Sequence, residues 1–177
     1  MNKADQYATD LIQAVQSCDP EVLRSLIKRI EAEAEWEWME AYTAPGRSGA
    51  AEIPRQVNYI DSTFGPMGLT ALHVAAQGYA AHTQEYGQVF NEMIRLLVVA
   101  GADPCLSFGQ RRVMRFVAGI EVPVMVDMGR TIAEECKGKL APALLDAYAA
   151  LPSDTPDLPK DSRPSFCDRK TLEKLAA

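Results

Sequence analysis

The chain has 177 residues, 47% of them hydrophobic, with a formal net charge of -6 and a pI near 5.0. That length carries one sizeable core as a single domain, and the acidic balance argues against a phosphate backbone as the main partner. No apolar run is long enough to span a membrane, and the start, Met1-Asn2-Lys3-Ala4-Asp5-Gln6, lacks the apolar stretch of a secretion signal, so a cytoplasmic location is expected. Four cysteines, Cys18, Cys105, Cys136 and Cys167, are spread singly with no CxxC pair, which reads as buried thiols in preference to metal ligands or disulfides.

The first recognisable elements are two helices in residues 11–27. Leu11, Ala14 and Val15 share a face of the first, Cys18 marks the turn, and Asp19-Pro20 fits a helix start with Asp as the cap and Pro in the first helical position. Residues 31–40 have high helix propensity and prolong the second helix. They hold Trp36 and Trp38 among five glutamates. Packing against a neighbouring helix is the favoured reading for these two rings, and an exposed acidic, aromatic surface is the other. Pro45-Gly46-Arg47-Ser48-Gly49 reads as a loop, and residues 53–64 lead into the next unit.

Residues 68–104 are the most informative stretch. Thr70 stands where an N-cap would, able to accept from the His73 amide, and the helix then begins at Ala71 with Leu72, Ala75 and Ala76 on one face. A second helix closes on Leu96-Leu97, with Gly101 just past its end as a left-handed cap. Thr70-Ala71-Leu72-His73-Val74-Ala75 and Gly101-Ala102-Asp103-Pro104 resemble the opening and closing signatures of the ankyrin repeat, in the right order. The family repeat is about 33 residues long. Here about ten extra residues, within 78–88, separate the helices and hold Tyr79, His82 and Tyr86. Val89, Phe90, Met93, Ile94 and Leu97 keep helical spacing, so the second helix is expected to start early and project beyond its neighbours.

Against this resemblance residues 11–27 look like an N-terminal capping repeat, with Leu11 in the place of Leu72 and Val22-Leu23 as the aliphatic pair of the second helix. Residues 129–136 resemble a degenerate last repeat, with Thr131 as cap and Cys136 in the place of an alanine. Pro142 then starts a helix carrying Leu144, Leu145, Tyr148 and Leu151. Between the second and third units, residues 111–126 are rich in β-formers with a turn expected at Ala118-Gly119. In an ankyrin array this would be one finger lengthened into a two-stranded ribbon, which must lean on the helices or on a partner because an isolated ribbon is marginal in water. The fold class expected is therefore mostly α: about three ankyrin-type helical hairpins in residues 1–151 with an extended β-hairpin insertion. A Pro-rich tail, 152–177, follows, with a short helix that could lay Phe166, Leu172 and Leu175 on the last unit. The final four residues resemble a linker used in protein expression.

For chemistry the sequence offers little. It has no GxxxxGK[ST], GxGxxG, GxSxG or HExxH, no histidine or cysteine at metal-ligand spacing, and no cofactor signature. By resemblance His73 is structural, bonding the adjoining finger backbone. What the resemblance implies is a binding surface for a protein partner: Leu69, Val74 and Gln77, with Phe64, Pro66 and Met67 toward the finger tip, Arg130 and Glu134 in the third unit, and Gln13 and Gln16 in the first. Leu69 and Val74 could equally contact the long inserts. Arg111, Arg112, Arg115 and Phe116 on the ribbon could grip carboxylates of a partner or pair with the chain's own glutamates. The leading expectation is a non-catalytic binding protein (an adaptor, an inhibitor or immunity protein, or an effector) of bacterial or viral source, monomeric or paired through the ribbon edge. Nucleic-acid binding through the arginine ribbon and a small enzyme using the His82, Tyr79, Tyr86 insert are the alternatives.

Overall fold

The computed structural model describes residues 3–43, 59–63, 68–106, 108–117 and 120–151. In chain order these form α1 (Lys3–Gln16), α2 (Pro20–Thr43), a 3-10 turn (Tyr59–Asp61), α3 (Ala71–Ala81), α4 (Thr83–Val99), β1 (Phe108–Val117), β2 (Ile120–Arg130), α5 (Ile132–Glu135) and α6 (Pro142–Ala149). The described part is mostly helical. The loop expected at 45–49, the turn at Ala118-Gly119 and the tail from 152 lie outside the described residues.

α2, α3 and α5 start where the sequence supplies a cap. Asp19 Oδ1 accepts from the amides of Glu21 at 2.9 Å and Val22 at 3.4 Å, and Pro20 opens α2, where its missing N–H leaves no bond unmade. Cys18, ahead of it, holds a left-handed turn at φ +54. Thr70 caps α3 and Thr131 caps α5, each in a reciprocal box with the residue three positions on. The N-cap of α6 is Ala141, which has nothing to cap with. Asn91 of α4 does it instead, its Oδ1 accepting from the Ala143 amide at 2.8 Å. At its far end α4 closes with Gly101 at φ +96, the Ala102 amide reaching Leu97 C=O at 2.9 Å and the Gly101 amide reaching Val98 C=O at 3.0 Å. A side chain at that φ would be strained, so glycine is the residue the turn needs.

The extra residues between the helices of the second unit lengthen the helices themselves. α3 runs to Ala81 and α4 begins at Thr83, with only His82 between them. Ala80, Ala81, Gln84 and Glu85 favour this helical extension, whereas Gly78 and Gly87 oppose it, so propensity alone does not dictate it. The two helices approach closely at Gly78, where a Cβ would lie 2.4 Å from the Phe90 ring.

The helices stack in two rows. α1 packs on α3 and α3 on α5; α2 packs on α4 and α4 on α6; within the first two units, α1 packs on α2 and α3 on α4. One continuous core runs through both rows, with Leu11, Leu23, Leu72, Met93, Ile94, Leu97, Ile132 and Leu144 fully buried. Connections outside the helices are pinned to it. The Asp61 carboxylate accepts from the Asp103 amide at 2.9 Å, and Tyr148 donates to Pro104 C=O at 3.0 Å. β1 and β2 pair antiparallel from Val117↔Ile120 to Phe108↔Arg130, with an irregularity between Phe108 and Gln110. Pro123 stands opposite Met114, and α5, which follows β2 after Thr131, lies against that strand.

Three expectations need correction. Val22 and Leu23 are not both core: Leu23 is fully buried and Val22 is 48% exposed. Among the described residues no helix stacks before α2 on the side Val22 occupies, whereas the corresponding pair in α4, Met93 and Ile94, is covered completely. Trp36, expected to pack, is 70% exposed. The reason is register. The core face of α2 carries Leu23, Ile27, Ile30 and Ala34, and Trp36 falls on the opposite side of the helix. Finally, Cys105 is disulfide-bonded, whereas Cys18 and Cys136 are free. Pairing depends on which cysteines the fold brings together, which their spacing does not disclose.

Candidate protein-binding surface

The geometry of the second unit is set by His73. Its ring accepts at Nδ1 from the Thr70 amide at 3.2 Å and lies 2.7 Å from Thr70 Oγ1, while Nε2 faces Leu106 C=O at 3.2 Å. With Nδ1 accepting, the proton belongs on Nε2, where it is donated to Leu106. One side chain therefore closes the cap of α3 and ties it to the backbone just before β1. Burial pushes the His73 pKa below the usual histidine range. In the third unit the same position is Glu134, whose Oε2 accepts from the Thr131 amide at 2.9 Å. Both caps place a first helix in the same way, with opposite chemistry at the third residue.

Around that anchor, Val74 and Gln77 lie on the half-exposed side of α3. Val74 also packs against the core cluster, so it is partly committed to structure. Leu69 is half-buried ahead of the cap, and in the neighbouring helix α1, Gln13 and Gln16 are exposed. Glu134 is exposed at the start of α5. These positions follow the first-helix row α1, α3, α5. Phe64, Pro66 and Met67 lie outside the described residues. Arg111, Arg112, Arg115 and Phe116 occupy β1, opposite Val126, Met125, Val122 and Glu121 respectively, and Arg130 ends β2 opposite Phe108.

His82 is exposed at the joint between α3 and α4, with the Tyr86 ring edge-on at 6.4 Å between centroids. Tyr79 packs against the core. Beside them an open cleft of about 670 Å³ is lined by Tyr79, His82, Glu85 and Lys139, among others. Among the described residues no side chain hydrogen-bonds the His82 ring. Among the described residues there is also no cluster of three metal-ligating side chains, and no helix long and apolar enough to cross a membrane. The Cys136 thiol, buried between the second and third units, is pushed up to about 11 by burial, which makes it a poor nucleophile.

At residues 31–40 the structure gives, for Trp36, the second of the two sequence readings: an exposed acidic, aromatic surface. Five glutamates punctuate residues 31–40, and they divide by face. Glu33 is bonded by Tyr7 and by Lys3, the latter at 3.2 Å; Glu37 is bonded by Lys3 and by Tyr59, the latter at 2.7 Å. Lys3 holds both carboxyls below the ordinary range, together with Tyr7, the largest cause at Glu33, and Tyr59 at Glu37. Glu31, Glu35 and Glu40 are exposed and take part in none of the ion pairs among the described residues. The signal was available: a four-residue step from Glu33 to Glu37, offset from the step that leads to Trp36.

The ankyrin-repeat family model matches residues 67–107. No curated protein and no solved structure matches the chain. The match coincides with the unit built on the Thr70–His73 cap and closed by Gly101, in the helical stack described above. Residues 67–107 are thus an ankyrin repeat, the second unit of the stack.

Proposed function

We propose that this protein is a non-catalytic module that binds a protein partner through the first-helix row of its stack and the finger side next to it. The observation that supports this most is the alignment of half-exposed Val74 and Gln77 on α3 with exposed Gln13 and Gln16 on α1, on helices locked by caps and by the His73 tie. A surface already ordered in the free protein binds with little entropic cost, and stacked repeats use such faces for protein recognition. Leu69 is proposed as part of this surface, and Phe64 and Met67, which lie outside the described residues, are proposed with it on the repeat signature alone. The ribbon arginines Arg111, Arg112, Arg115 and Arg130, with Phe116, are proposed as a second contact, the arginines suited to a partner's carboxylates. The first and third units act as further, divergent copies of the repeat that cover the two ends of the second. A disulfide such as that of Cys105 is kept in oxidising surroundings, so the expected cytoplasmic address is not carried into this reading.

The test is affinity capture by three folded forms: wild type, a Gln16→Lys/Gln77→Lys variant, and an Arg111→Glu/Arg112→Glu/Arg115→Glu variant. A protein captured by the wild type and lost by the first variant supports the helix-row surface; loss by the second places the contact on the ribbon. Equal capture by all three contradicts the reading.

A further inference from the structure

We propose that Cys105 pairs with Cys167, so that a disulfide straps the C-terminal tail to the loop ahead of β1 and closes the third unit into a covalent ring that thiols open. The partner follows by elimination. The chain has four cysteines; Cys105 is disulfide-bonded, and Cys18 and Cys136 are free. Within one chain the only sulfur left for Cys105 is that of Cys167, which lies outside the described residues. The path of the chain allows the bond. The Tyr148 hydroxyl donates to Pro104 C=O at 3.0 Å, so the last turn of α6 lies beside the residue that precedes Cys105. The chain therefore leaves α6 close to that cysteine, and residues 152–166 give it an extended reach of about 50 Å in which to turn back.

The anchor is fixed without the disulfide. The Asp103 amide donates to Asp61 at 2.9 Å, the Cys105 amide donates to the Asp103 carboxylate at 2.8 Å, and Leu106 C=O accepts from His73 Nε2 at 3.2 Å. None of these bonds uses the Cys105 sulfur, so they persist when the disulfide opens. Cys105 is half-buried, and thiol exchange needs such exposure, whereas the free Cys136 is enclosed in the core. The ring from 105 to 167 holds both strands, α5 and α6. Those helices are short, four and eight residues, and α6 takes its cap from Asn91 of another unit. A cross-link that restricts the unfolded chain over so long a loop stabilises this weakest part of the stack. The bond forms by exchange with a small disulfide. One cysteine thiolate attacks it, giving a mixed disulfide and one small thiol; the second cysteine thiolate then displaces the other small thiol. Two protein thiols are oxidised, and their two electrons and two protons end on the two small thiols. Excess small thiol reverses both steps and frees the tail.

The test uses the full chain, equilibrated with oxidised glutathione and then with an excess of reduced glutathione. Alkylated after denaturation, the oxidised chain is expected to carry label at Cys18 and Cys136 only, and peptide mapping without reductant to yield a Cys105–Cys167 cross-linked peptide. Cys18→Ser should keep that cross-link, and Cys167→Ser should leave Cys105 open to alkylation. Reduction should lower the melting temperature of the wild type by several degrees; Cys167→Ser should melt at the lower temperature in either solution. Cys105 linked to Cys18, to Cys136 or to Cys105 of a second copy, label on all four cysteines after oxidation, or a wild-type melting temperature that reductant does not move would overturn the proposal.

Discussion

α2 and α4 lie side by side in one row, and both are amphipathic, yet they differ in what covers them. α4 packs between α2 and α6 and buries Phe90, Met93, Ile94 and Leu97. α2 has a neighbour in the row on one side only; it buries Leu23, Ile27, Ile30 and Ala34 and leaves Val22 and Trp36 in solvent. The aliphatic pairs Val22-Leu23 and Met93-Ile94 are equally hydrophobic. Their fates differ because in a stack a residue is covered by the units on either side of its own, and an end unit has one such neighbour. Hydrophobicity alone therefore identifies α4 as core and leaves α2 divided between core and surface.

The largest test of this difference is Leu97→Ala, expected to cost about 2–5 kcal/mol because the cavity opens in the most enclosed helix; urea denaturation measures it. Next comes Gly78→Ala, where the added methyl meets the buried Phe90 ring. It should destabilise by about 1–3 kcal/mol through overpacking, and Gly78→Ala with Phe90→Leu should recover part of that loss in the same assay. Asn91→Ala removes the borrowed cap of α6 and is expected to cost about 1 kcal/mol, loosening the third unit against α4.

The pH response separates the second unit from the third. The folded pKa of His73 is lowered by burial, and its Nδ1 is already an acceptor, so the unfolded chain takes up a proton first as the solution is acidified. Stability is full above the unfolded histidine value of about 6.5 and falls as pH drops through that value toward the lower folded one. Thermal melting should therefore decline from pH 7 to pH 5.5, and His73→Gln should flatten that slope. The Asp61 carboxyl, which burial pushes up, is common to both proteins and cancels in the comparison. The smallest expected effect is Trp36→Ala, within about 0.5 kcal/mol of the wild type, since the ring is mostly in solvent.

Much of the helical framework was legible because its signals are local. Thr70, Thr131, Asp19-Pro20, Pro142 and Gly101 each act on backbone groups within a few residues, and each stands at the expected start or end of a helix. What depended on neighbours was not legible. In residues 78–88 the early start of α4 was legible, whereas the extension of α3 to Ala81 was not, because propensity there suits either a loop or a longer helix. For Trp36 packing was favoured over an exposed surface because large exposed apolar patches are uncommon, and only the register of α2 against α1 and α4 puts it outside. The cap of α6 was invisible for the same reason, since its acceptor, Asn91, lies 52 residues earlier. Of the surface, Val74 and Gln77 were found from the repeat signature, whereas the exposed face of α2 has no place in that signature.

Amide hydrogen exchange across the native chain goes most directly at the contrast between the covered and the open helix. The account predicts slowest exchange in residues 90–97 of α4, where both sides are covered, and fastest helical exchange in α2 from residue 36 onward. Exchange in that last part of α2 as slow as in α4 would contradict it, because something in the free protein would then already cover the face on which Trp36 lies.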